Sequence, residues 1–393
     1  MPISLGPTQG SVREVLEAHG DDASGYYQAL RALGGERRLF FDPDMQAWVV
    51  TGHALCARLL ASSALSKSRL RLDTPAVRER LGDLALSAQE IVGRQMSFDE
   101  SESAGRSHHR WQRILTIDGR SAFRRALADM AAATFATFDA AAPDFYRMAL
   151  RPYVSRAVAA RLSLREAERA ALYPLIYGYA DFLDGKATTG SAAGAAASLA
   201  LLGDYVGAHF DRLRGCDGQP IDDRERWIAD YALTLVAGHE STAFALGTAL
   251  GMLGDPAMRP GRASDLRAHL LEALRFDSPI QLIGRVARDD LDLGAGGRIR
   301  AGERVFLHVG AANRDPDRFA TPDRFDPRRR GGGLLAFGLG ASRCVGMNLA
   351  LVEAEVFLAA ALRFLGERRL CVHASSFEHG LAGRSFGGLA LSL

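Results

Sequence analysis

One cysteine, Cys344, closes the stretch Phe337-Gly338-Leu339-Gly340-Ala341-Ser342-Arg343-Cys344-Val345-Gly346. The apolar positions Ala350, Val352, Ala354, Val356, Phe357 and Leu358 follow it. The pattern predicts a glycine-rich loop that delivers a thiol to the start of a helix. Unpaired N–H groups and the positive end of the helix dipole favour thiolate there. A thiolate with a Phe and several glycines around it suits a soft or redox metal, haem iron foremost. A buried cysteine in an ordinary loop is the plain alternative, but ten ordered positions are hard to meet by chance.

A second stretch with chemistry is Ala237-Gly238-His239-Glu240-Ser241-Thr242, inside a segment from about Arg224 to Leu253 that is apolar nearly all round. Such a helix belongs at a protein's centre, and a carboxylate there must be paired, hydrated or useful. Glu272 and Arg275 stand three residues apart on a further helical stretch, with Pro322-Asp323-Arg324-Phe325-Asp326-Pro327 downstream. Between them, Pro279 to Arg285 reads as the start of a strand.

In order and spacing these motifs resemble the cytochrome P-450 monooxygenases of the soluble bacterial type. The resemblance runs from about Phe40 to Leu393 and is strongest from Asp230 to Leu365. It implies a mainly α fold with a small β region, one domain over residues 1–393. Haem b would lie between the long central helix and the helix after the cysteine loop. By resemblance Cys344 is the axial iron ligand, and Phe337, Gly338, Ser342, Ala237, Gly238 and Arg285 border the haem, Arg285 gripping a propionate. Glu240, Ser241 and Thr242 fall on the oxygen-binding groove, Ser241 in the place of the family's threonine. Glu272, Arg275 and Arg324 match a buried ionic network that supports the loop. The substrate is expected against Val236, Ala237, Ile280, Leu282, Ile283 and Phe386.

The resemblance also has departures. Two residues before the cysteine, Ser342 replaces a common histidine. Aligned through Asp118-Gly119, the two places of a His-x-x-x-Arg pattern that usually holds propionates are Ala122 and Ala126, with Arg120, Arg124 and Arg125 near enough to substitute. The implied activity is O₂-dependent oxidation of a medium-sized organic molecule in secondary metabolism, with electrons from a ferredoxin and its NAD(P)H-dependent reductase. Coupling, ring formation or peroxide-driven chemistry on the same fold, and a haem sensor, are the rivals. Retention of Glu240 speaks against the peroxide reading.

Composition sets the frame for these elements. The 393 residues are 48% hydrophobic and 24% charged with a net charge of +2, so no global attraction to nucleic acid or membrane is expected. Cys56, Cys216, Cys344 and Cys371 form no C-x-x-C pair, neither a disulfide framework nor a zinc site. No apolar run approaches the ~20 residues that span a bilayer, and Met1 to Gly10 lacks a signal-peptide pattern. A cytoplasmic monomer is the expectation. Helices are expected at Ser24–Leu33, His53–Leu60, Ala122–Phe138, Tyr153–Leu162 and Leu164–Phe182, then, after a connection before Ser191, through Leu213. Further helices are expected at Arg224–Leu253 and Asp265–Phe276, the latter capped by Ser264. Arg38–Phe41 and Ala47–Thr51 read as strands, Arg298–Val309 as a hairpin, and Leu65 to about Gly105 as a long irregular segment, which the resemblance places over the haem.

Overall fold

The computed structural model describes residues 10–67, 70–117, 122–137, 144–185, 189–260, 265–293, 297–329 and 331–392. Its axis is a pair of consecutive helices, Arg224–Ala237 and Glu240–Leu253. Asp223 caps the first by accepting the N–H of Arg226, and every residue from Trp227 to Val236 is buried. Sequence periodicity predicts a single helix here, but the ladder breaks at Gly238-His239. The ring Nδ1–H of His239 donates to the Leu235 carbonyl, the acceptor an unbroken helix would offer to the His239 backbone. That backbone N–H turns instead to Val236 O at 3.4 Å, and regular pairing resumes where Ala243 N meets His239 O at 3.1 Å.

The helix after the cysteine loop, Met347–Leu365, packs against Ala122–Ala136, Glu240–Leu253 and Leu266–Phe276. Phe357 at its centre meets the rings of Phe135 and Tyr153, and the Tyr153 hydroxyl donates to the Glu353 carbonyl at 2.9 Å. Helix Arg151–Arg161 and helix Glu166–Leu183 lie close to their expected bounds, and Thr189–Ala208 carries the small-residue stretch. Asp265 is the N-cap of Leu266–Phe276; Ser264 lies outside the described residues.

One expectation fails in the first third of the chain, and one helix there was not anticipated. Ser11 and Glu14 form a capping box that opens an unanticipated helix, Val12–His19. The segment expected to be irregular holds helices Pro75–Leu81 and Asp83–Arg94, and a third, Glu102–Leu115, begins within it. Pro75 occupies the first turn, where its missing N–H costs nothing. Val77, Ala85, Ala88 and Val92 supply a sparse buried face among charged residues. That stripe is too thin to stand out against so polar a background.

The strands are β1 (Leu39–Asp42), β2 (Ala47–Val50), β3 (Leu65–Ser66), β4 (Leu282–Ala287), β5 (Leu291–Asp292), β6 (Arg298–Ile299), β7 (Arg304–His308), β8 (Cys371–His379) and β9 (Arg384–Ser392). Five form a sheet in the order β1-β2-β7-β4-β3, in which β2 and β7 run parallel with Trp48 opposite Val305. The expected hairpin over Arg298–Val309 does not form, because β6 pairs with β5 and β7 joins the large sheet. The β8–β9 hairpin is tied back through Gln281 N to Ala382 O and Arg384 N to Pro279 O, both 2.8 Å. The buried Arg384 guanidinium also reaches Gly20 O at 3.1 Å and Asp277 at 3.5 Å.

Candidate functional site

The cysteine loop turns on Gly338 and Gly340, at φ of 66° and 62°, a region that side chains disfavour. The Cys344 N–H donates to the Phe337 carbonyl at 2.8 Å and closes the loop. Behind it, Glu272 is gripped by Arg275 through Nε and Nη2, both at 2.8 Å, and accepts the Asp326 N–H at 2.9 Å. The third cation differs from expectation. Arg324 is exposed and contributes only its carbonyl, to Arg275 at 3.2 Å. The guanidinium on Glu272 belongs to Arg329, at 3.2 Å. Both arginines follow Phe319 within a short turn-rich stretch, so spacing alone could not choose between them.

Cys344 is exposed, yet what it faces is an internal cavity of about 440 Å³. Burial pushes its thiol up, while the N–H groups of Gly346 and Met347 and the charge of Arg343 act the other way. A Cβ on Gly346 would stand 3.9 Å from the sulfur, so glycine leaves that approach open. The other cysteines do not share the setting: Cys56 is buried and donates to Val50 O, Cys216 is half-buried and Cys371 lies on β8.

The helix break forms the facing wall. Val236, Ala237, Gly238, Glu240, Ser241 and Thr242 all border the cavity, as do Phe337, Gly338, Ile280, Leu282, Ile283 and Arg285. Phe386 does not: its ring is buried against Phe244 and Phe377. Ser342's side chain lies outside the described residues. The Ser241 hydroxyl donates to the Ala237 carbonyl at 3.1 Å, and Thr242 is buried.

Both Glu240 oxygens are engaged. Arg151 Nε meets Oε2 at 3.0 Å and Nη2 meets Oε1 at 2.8 Å, while the Tyr146 hydroxyl donates to Oε1 at 2.6 Å. Arg151 lies over the rings of Tyr146 and Tyr177, at 5.1 and 4.8 Å. Burial disfavours its charge, but the Glu240 carboxylate more than offsets this and holds it protonated. Burial and the same carboxylate push the Tyr146 phenol well up. Tyr146 lies in a π-helical turn, Tyr146–Leu150, that runs into the Arg151 helix. Sequence reasoning named neither residue; the only signal was that a buried carboxylate needs a partner.

The cationic end of the cavity also departs from the alignment through Asp118-Gly119. Helix Ala122–Ala136 does not border the cavity; Arg124 pairs with Glu355 at 4.0 Å, Arg125 is exposed, and Arg120 lies outside the described residues. The bordering helix is Glu102–Leu115, through His108, whose Nε2–H donates to the Arg343 carbonyl at 2.7 Å. Lys67 and the buried Arg285 complete that side. The adjacent His108-His109 pair was the available signal for this helix.

A family profile described as Cytochrome P450 matches residues 266–365, which contain the Glu272–Arg275 pair and the Cys344 loop. Cytochrome P450-SOY of Streptomyces griseus is 28% identical over 359 residues, covering 84% of this chain and 82% of that protein. Over these matches the chain is similar to the cytochromes P450. A putative cytochrome P450 133B2 of Xylella fastidiosa is 40% identical over 158 residues, so the match spans 39% of each chain. Pentalenic acid synthase of Streptomyces avermitilis is 29% identical and covered over 88% of its length and of this chain's. The fold agrees with a structure of P450BioI in complex with hexadec-9Z-enoic acid ligated acyl carrier protein, at a TM-score of 0.82 and 21% identity over 98% of this chain and all (100%) of that one.

That similarity implies a haem-iron cofactor, and the residues present fit one. The thiol that Gly346 leaves unobstructed, the small and apolar residues of the helix break and the cations Lys67 and Arg285 border one cavity, a donor set that suits a flat apolar group with an iron and carboxylates. Among the described residues no helix is long and apolar enough to cross a membrane.

Proposed function

We propose that the protein is a haem-thiolate monooxygenase that uses O₂ and two externally supplied electrons to oxidise a medium-sized, largely apolar molecule in secondary metabolism. Haem b is the group the cavity would hold, with Cys344 the residue that would bind its iron. The observation that carries this reading is the Cys344 thiol facing the same cavity as the break at Gly238-His239. When bound, thiolate-ligated haem supplies reductive activation of O₂ and oxidation of a C–H bond or its equivalent.

The chain's own residues set the conditions. The N–H groups of Gly346 and Met347 stabilise negative charge on the Cys344 sulfur. Val236, Ala237, Ile280, Leu282 and Ile283 exclude water and orient an apolar substrate. Ser241 Oγ, bonded to a carbonyl at the break, is placed to pass a proton into the cavity, with Glu240 as the ionised group behind it. Electrons come from a ferredoxin and its reductase. Arg113, Arg328 and Arg343 are exposed on segments flanking the thiol, and would attract an acidic partner. Arg329 is withdrawn from that surface by Glu272.

The test is spectroscopic. The reduced protein under carbon monoxide should show the red-shifted Soret band of thiolate haem, and Cys344→Ala should abolish it while Cys56, Cys216 and Cys371 variants keep it. An unchanged spectrum in the Cys344 variant would overturn the assignment.

A further inference from the structure

The break between Arg224–Ala237 and Glu240–Leu253 makes the second helix start at the cavity, with Glu240, Ser241 and Thr242 in its first turn. No side chain caps that turn. Its N–H groups are therefore the open donors of a helix start and carry the positive end of the dipole. The ring that opens the break is bonded through both of its nitrogens. Nδ1 of the buried His239 meets the Leu235 carbonyl, and Nε2 meets Ser155 Oγ at 3.3 Å. The buried Ser155 oxygen also accepts Arg169 Nη1 at 3.2 Å, and Arg169 is fixed to Glu166 through Nε and Nη2.

The direction of each bond follows from what each group can do. A carbonyl only accepts, so Nδ1 carries the proton. Burial lowers the ring's pKa to about 4, opposed by the Leu235 bond and aided by the charge of Arg169, so at neutral pH Nε2 is a lone pair. Ser155 then donates to Nε2, and its oxygen accepts from Arg169, a side chain that can only donate. An arginine on helix Glu166–Leu183 thereby selects the tautomer of a histidine at the break.

His209 provides a comparison within the same chain. Its Nδ1 also meets a carbonyl four residues back, Tyr205 O at 2.9 Å, yet its backbone N–H keeps that same carbonyl at 3.1 Å. Among the described residues no hydrogen-bond partner meets His209 Nε2. A ring bonded on one side shares the acceptor, and a ring pinned on both sides takes it. The Ser241 hydroxyl donates to Ala237 O as well, but such back-bonding bends a helix rather than interrupting it.

We propose that His239 is a positioning residue for the reaction: Ser155 and Arg169 lock it as the Nδ1–H tautomer, and the locked ring keeps the start of Glu240–Leu253 open to the cavity. Its part in the chemistry rests on the haem reading above, whereas the lock is a property of the chain alone. Without the lock the His239 N–H regains Leu235 O, the helix runs through, and the cavity that Cys344 also borders narrows.

Amide hydrogen exchange of the full chain, read by mass spectrometry over Val236–Ala243, reports the break with or without haem. His239→Leu and Ser155→Ala should each slow exchange there on the order of tenfold, as the interrupted ladder gains its missing bond, and Ser155→Thr should match wild type. In the reduced holoenzyme, carbon monoxide rebinding after flash photolysis should slow severalfold in the same two variants and not in Ser155→Thr. Unslowed exchange in Ser155→Ala, or equal slowing in Ser155→Thr, overturns the lock, and this pair decides even if His239→Leu does not fold. Slowed exchange with unchanged carbon monoxide rebinding overturns the role in the reaction. A wild-type protein that binds no haem would count against the proposed function, and the exchange measurement would still judge the lock.

Discussion

The Tyr146 hydroxyl donates to Glu240 Oε1 across 2.6 Å, and it does so from a π-helical turn 94 positions earlier in the chain. With Arg151 on both oxygens, the Glu240 carboxylate is a buried, fully engaged anion rather than a free base. It reaches Ser241 only by giving up one of these contacts.

The pair can be separated by substitution. Arg151→Met leaves Glu240 charged, buried and short of a partner, which should destabilise the fold by about 3–5 kcal/mol. Tyr146→Phe removes one hydrogen bond to a charged group, worth about 1.5–3 kcal/mol. Adding Glu240→Gln to Arg151→Met should recover part of the loss, as measured by urea unfolding. A double variant no more stable than Arg151→Met alone would contradict the ion pair.

At the groove, Ser241→Ala should leave the haem spectrum intact while diverting electrons to hydrogen peroxide. Thr242→Ala should divert fewer, and Glu240→Gln should slow turnover by about 100-fold or more. The ratio of peroxide formed to NADH consumed reads this directly. Full coupling in Ser241→Ala with uncoupling in Thr242→Ala would transfer the role to Thr242.

The support of the cysteine loop has a clear asymmetry. Arg329→Met removes a guanidinium that is 14% exposed from a carboxylate that is 4% exposed. It should cost about 2–4 kcal/mol and lower haem occupancy. Arg324→Met, whose side chain is exposed, should stay within about 0.5 kcal/mol of wild type. Thermal unfolding of the two variants side by side decides it, and equal losses would return Arg324 to the network.

Acid stability should show two opposed buried groups on one helix and its break. Burial pushes Asp230 from 3.8 up to about 6, against its bonds from Ser107 and Met96 N. Between about pH 4 and 6 the folded chain therefore holds a proton that the unfolded chain has released, so this group's contribution falls as pH rises. Burial lowers His239 from 6.5 to about 4, and its contribution rises with pH over nearly the same window. Asp230→Asn removes only the first effect. It should gain on wild type by up to about 3 kcal/mol as pH climbs from 4 to 6. Parallel unfolding curves at pH 4.5, 5.5 and 7 would refute the assignment.

Legibility in the sequence followed the range of the interaction. The cysteine loop, the groove residues and the Glu272–Arg275 pair are local patterns, and the structure gathers the loop and the groove on one cavity while the pair braces the loop from behind. Partners from distant segments were not readable: Tyr146 and Arg151 on Glu240, Arg329 in place of Arg324, Lys67 beside Arg285. Backbone context decided other errors. The His239 ring competes for Leu235 O and breaks a helix whose apolar pattern is continuous. Phe386, expected at the substrate, is buried where a Cβ on Gly247 would stand 2.6 Å from its ring. Packing density claims that side chain before any ligand can.

The parallel pairing of β2 with β7 bears on how the chain is made. When β1 and β2 leave the ribosome, the strand that completes their sheet has not yet been translated. At roughly 5–20 residues per second the wait is on the order of tens of seconds. A two-stranded ribbon is marginal alone and offers an open edge meanwhile. The Arg384 contact to Gly20 joins segments 364 positions apart and extends the delay further. Birth of the native sheet therefore waits for β7, and truncating translation before that strand should send nascent chains to chaperones or aggregates rather than to a stable N-terminal fragment.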